Sequence, residues 1–73
     1  MKQFLFNLDL SYEQCEQIYS GHIKSIQVTS HSGKSIRIPA LRFRSFITPV
    51  GIKQKFKLKL SDSNQFISLE KII

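Results

Sequence analysis

"KQKFKLKL", residues 53–60, sets a lysine at every second position and places Phe56, Leu58 and Leu60 between the last of them. A repeat of two is the period of a strand, whose successive side chains point to opposite faces. These residues read as a half-buried strand, with Lys53, Lys55, Lys57 and Lys59 turned to water and the apolar side chains turned to a core. The fold then depends on what the flanking sequence supplies to pair with this strand and to cover its apolar side.

Upstream, "TPVG" (48–51) is a turn with proline second and glycine fourth. Before it the strand phase breaks: Ile36, Ile38 and Ala40 are even-numbered, whereas Leu41 and Phe43 are odd. Helical spacing restores order, because one or two short turns bring Ala40, Phe43, Phe46 and Ile47 to a common face and leave Arg42 and Arg44 nearer solvent. Further upstream, "HIKSIQVTS" (22–30) alternates, "HSGK" (31–34) makes a turn, and Ser35 to Ile38 resume the alternation. This is a hairpin whose second strand ends at Pro39, which has no amide to donate. Downstream, the polar turn "SDSNQ" (61–65) leads into "FISLEKII" (66–73), where Ile67 and Leu69 oppose Ser68 and Glu70 before the register blurs at Ile72 and Ile73.

The amino-terminal stretch "KQFLFNLDL" (2–10) alternates as well, with Leu5 as its one violation. Ser11 and Gln14 then form the S-x-x-Q capping box that opens a helix. Tyr12, Cys15, Ile18 and Tyr19 make its apolar stripe, and Gly21 suits the left-handed residue that ends it. The order is strand, helix, strand, strand, short helix, strand, strand. The expected fold is α+β: a small, twisted, mostly antiparallel five-stranded sheet or half-closed barrel, with one main helix packed on it.

The stretches "FLFNLDLS", "YSGHI", "IPALRFRSFIT", "GIKQKFKL" and "LEKII" together resemble a family of short bacterial proteins, domain of unknown function 2835. The resemblance spans nearly the whole chain, and 38–48 is its most specific part. It implies a small bacterial cytosolic protein and brings no catalytic residues to transfer.

At 73 residues, the chain is expected to be a single small globular domain over 1–73, burying only about 60% of its unfolded surface. Cys15 has no partner for a disulfide, and the amino terminus lacks a long apolar run, so a cytoplasmic location is expected. No stretch approaches the roughly 20 apolar residues that span a bilayer, and no membrane association is expected. The net charge of +6 is unevenly placed. From Gly21 to Lys59 there are nine cations (Lys24, Lys34, Arg37, Arg42, Arg44, Lys53, Lys55, Lys57, Lys59) and no acid. Such a segment attracts polyanions or acidic partners.

An enzyme needs a nucleophile beside a base, or converging carboxylates, and neither can be drawn. Glu13 and Glu16 serve the helix dipole, and His22 and His31 flank a strand as turn residues. Cys15, His22 and His31 lack metal-ligand spacing, so no metal or other cofactor is expected. The lysine row is the candidate site. Alternate strand residues lie roughly 6.6 Å apart, so the four ammonium groups form a row about 20 Å long that can track a phosphate backbone. Phe43, between two arginines, is the one candidate platform for stacking a base, although its helical spacing assigns it to the core. Another explanation of the row is edge protection, since lysines on an edge strand block pairing with a second chain. The expectation is a non-catalytic module that binds nucleic acid or another polyanion, weakly and with low specificity, through Lys53, Lys55, Lys57, Lys59, Lys34, Arg37, Arg42 and Arg44. The alternative is a regulatory module, monomeric or homodimeric, that binds an acidic protein or itself.

Overall fold

The architecture is that of a computed structural model, which describes residues 1–72. Its elements are β1 (Lys2–Leu10), α1 (Tyr12–Tyr19), β2 (Ser25–Thr29), β3 (Ser35–Pro39), a 3-10 helix (Ala40–Phe46), β4 (Ile52–Leu60) and β5 (Phe66–Ile72). The five strands divide into two antiparallel sheets, β1-β4-β5 and the hairpin β2-β3. His31 N–H donates to the Leu5 carbonyl at 2.8 Å and so ties the hairpin turn to the outer edge of β1. The barrel is not closed.

The pairing order changes the meaning of the lysine strand. β4 is the middle strand of its sheet, with Phe6 opposite Phe56 on one side and Leu58 opposite Leu69 on the other. Protection of an edge therefore does not account for Lys55, Lys57 and Lys59, which have a strand on both sides. β5 carries the irregularity, because the register shifts between Lys59 and Leu60 and leaves Ile67 as an extra, exposed residue. A bulge of this kind bends an edge strand and spoils it as a template. Ile72 ends β5 in pairing with Lys55; Ile73 lies outside the described residues.

Local chemistry accounts for both helices. Ser11 Oγ accepts from Gln14 N–H at 3.2 Å while Ser11 N–H donates to Gln14 Oε1 at 2.9 Å, completing the capping box. At the other end, His22 N–H reaches the Gln17 carbonyl and Gly21 N–H the Ile18 carbonyl, with Gly21 at φ +83°. These are the two bonds of a Schellman cap. Of the predicted stripe, Cys15 and Ile18 are buried, whereas Tyr12 and Tyr19 stay at the exposed rim. In the 3-10 helix, residues three apart eclipse one another, which places Ala40, Phe43 and Phe46 on one side. Ala40 and Phe43 are buried, and Phe46 packs half-buried against the core.

The even-numbered side chains of β1 and β4 face α1, the 3-10 helix and the hairpin. Phe6, Leu8, Ile52, Phe56 and Leu58 meet Cys15, Val28, Ile38 and Phe43 there. Phe6 stacks on Phe56 with ring centres 5.6 Å apart, and Phe43 meets both edge-on. All the covering elements lie on this inner side of the three-stranded sheet. The other side is left to solvent.

Candidate functional site

The exposed outer face of the sheet is made by the odd-numbered residues of β1 and β4. In the centre runs the row Lys53, Lys55, Lys57 and Lys59, opposed across β1 by Asp9, Asn7, Leu5 and Gln3 in turn. Across β5, Lys55, Lys57 and Lys59 are opposed by Ile72, Glu70 and Ser68. The alternation that buries Phe56 and Leu58 is what presents the lysines, so one register sets both the core and the site. Leu5, the residue that broke the alternation of the first strand, lies on this face at 39% exposure, directly opposite Lys57.

The charges on the face are not all free. Lys59 Nζ lies 3.4 Å from Glu70 Oε1, and Asp9 stands opposite Lys53. An exposed pair of this kind contributes roughly 0–1 kcal/mol, so a phosphate can displace the carboxylate at little cost. Lys55 is opposed only by neutral residues, Asn7 and Ile72. The face therefore carries a cationic line with two anionic interruptions.

The remaining cations predicted for the site are not on this face. Arg42 holds its guanidinium 3.9 Å over the ring of Phe66, and Arg44 lies 5.0 Å over Tyr19. Phe66 pairs with Leu60 and shares its inner face, and Tyr19 ends the helix that covers that face. Both arginines thus stand on the far side of the sheet from the lysine row, held by cation–π contacts. Lys34 and Arg37 belong to the hairpin, where with Lys2 they border a depression of about 290 Å³. Lys2 was missed as a partner of that pair, since only the pairing of β1 with the end of β4 brings it there.

Other candidates resolve by burial and distance. Phe43 is fully buried and offers a base no surface to stack on. Cys15 is buried, and desolvation pushes its thiol pKa up, which keeps it protonated and unreactive. His22 Nδ1 lies 2.6 Å from Ser20 Oγ at the end of α1, whereas His31 sits in the hairpin turn. Among the described residues, no group of three or more His, Cys, Asp or Glu could hold a metal ion, and no helix is long and apolar enough to cross a membrane.

No curated protein and no solved structure matches the chain. The family model described as Protein of unknown function (DUF2835) matches residues 2–72, essentially the whole chain, and the chain belongs to that family.

Proposed function

We propose that the chain is a non-catalytic module that holds the phosphate backbone of a nucleic acid along the outer face of its sheet. The observation that carries this reading is that β4 displays lysine at four successive outward positions although three of them, Lys55, Lys57 and Lys59, have a paired strand on both sides. A central strand has no free edge to protect, and a mixed set of charges would keep the surface equally soluble. A row about 20 Å long suits a polymer whose charges repeat about every 3.4 Å per strand, with several phosphates within reach of each ammonium. With Phe43 in the core, the contacts of this reading are those of ammonium groups with phosphate, which are indifferent to sequence.

Salt dependence tests this directly. In anisotropy titrations of labelled single- and double-stranded oligonucleotides, raising salt from about 50 to 200 mM weakens binding about tenfold if two lysines neutralise phosphates, and about a hundredfold if all four do. Changing Lys53, Lys55, Lys57 and Lys59 together to glutamine abolishes the binding. Absence of binding at about 50 mM salt, or equal binding by the quadruple variant, refutes the proposal.

A further inference from the structure

The inner side of the sheet holds a second feature, a groove that opens between the two hairpins. One wall is the consecutive run 36–39 of β3, and the other is formed by Leu58, Leu60 and Phe66. Four consecutive residues can line one space only along a strand's edge, where residues of both faces meet it. That edge is unpaired, because β3 has β2 on one side and no strand on the other. Past Arg37 and Leu60 the groove continues into the depression bordered by Lys2 and Lys34. The two halves have volumes of about 240 and 290 Å³.

The hydrogen bonds of the hairpin show what the open edge offers. Ala40 N–H donates to the Lys24 carbonyl and Ser30 N–H to the Lys34 carbonyl, with Ile26 opposite Ile38 and Val28 opposite Ile36. The even-numbered residues of β3 are therefore bonded to β2, and antiparallel alternation turns the N–H and C=O of Ser35 and Arg37 into the groove. The electrostatics are one-sided. Lys2, Lys34 and Arg37 border the groove, and no Asp or Glu lines it.

We infer that this groove takes an extended acidic peptide segment of another protein, added as a strand along the open edge of β3. Ser35 and Arg37 supply the main-chain hydrogen bonds. The peptide's side chains alternate, apolar ones seating on Leu58, Leu60 and Phe66 and acidic ones standing beside Arg37 and Lys34. The matching sequence alternates apolar residues with Asp or Glu. A second copy of this chain is a poor occupant, because it carries +6 itself. A nucleic acid would leave the apolar floor unfilled, and its phosphates, which only accept, would leave the C=O groups of the edge without a donor. The site is separate from the lysine face, and its fate does not depend on that of the nucleic-acid proposal.

The test uses a blocked peptide of alternating valine and aspartate, about seven residues long, observed by amide NMR and by anisotropy. The expected result is that the amide signals of Ser35 and Arg37 shift on binding and become protected from exchange. Methylating alternate backbone nitrogens of the peptide, or changing Arg37→Glu, weakens binding by at least about tenfold, whereas Lys55→Gln with Lys57→Gln leaves it unchanged. Full retention of affinity by the methylated peptide overturns strand addition. Shifts confined to the outer lysine face, or no shifts at millimolar peptide, overturn the site.

Discussion

At the scale of single residues, the fold is held at a few positions where no other side chain fits. Gly51 is the clearest. It has φ +94°, and a Cβ there would run into the Leu10 carbonyl and the backbone of Ser11, where β1 hands over to α1. Left-handed backbone alone costs an L residue roughly 1–2 kcal/mol, and the collision adds to it. Gly51→Ala is accordingly expected to lower stability by more than about 2 kcal/mol in urea denaturation, with little change in the slope of the transition. Cys15 gives a second expectation. Burial favours the neutral thiol in the folded state, so the unfolded chain ionises first as pH rises, and this contribution to stability is lost on the alkaline side. A thiol reagent at mildly alkaline pH should label Cys15 only as fast as the molecule unfolds. A repeated turn went unnoticed in the sequence. In "SHSGK" and "SDSNQ", Ser30 and Ser61 each accept from the amide four residues on, and each contacts the serine two residues on at 2.9 Å. Gly33 and Asn64 take the left-handed position in the two turns. The two strings share only their serines and a residue tolerant of positive φ, which is why composition alone did not reveal the equivalence.

At the scale of elements, what could be read from the sequence was what is decided locally. α1 was legible because its caps are made by residues three to five apart, and the 3-10 helix because the phase of its apolar residues left no strand face to occupy. The central place of β4 was not legible. Its pairing with β1 joins Lys2 to Leu60, and no local pattern records which strands meet across such a separation. The same ignorance made nine clustered cations look like one surface. Arg42 and Arg44 left it because the turn of the 3-10 helix carries them onto Phe66 and Tyr19 instead. The element-level prediction concerns the carboxylate on the lysine face. Glu70→Gln frees Lys59 and removes a like charge from the path of the phosphates, so oligonucleotide affinity should rise about two- to fivefold with a steeper salt dependence. Titration of the single variant beside the wild type measures it.

At the scale of the whole molecule, a chain this short has one core and little to spare. Phe43 is fully buried and touches Phe6 and Phe56 through edge-on ring contacts, joining the covering layer to the sheet. Phe43→Ala is expected to cost about 3–5 kcal/mol, against a total of roughly 5–15 kcal/mol for a typical domain. Thermal or urea unfolding followed by circular dichroism should show the variant largely unfolded or with a much lower midpoint. The same two-layer construction gives the molecule two different sides: an open lysine face, and an inner side where a groove between hairpins meets an unpaired strand edge. Amide NMR of the intact chain with a single-stranded oligonucleotide at low salt compares the two in one experiment. The account predicts shifts along Lys53–Lys59 and at Asn7 across the sheet, fading as salt is raised, with Ser35 and Arg37 unmoved. Shifts centred on the β2-β3 hairpin and absent from β4 would contradict it.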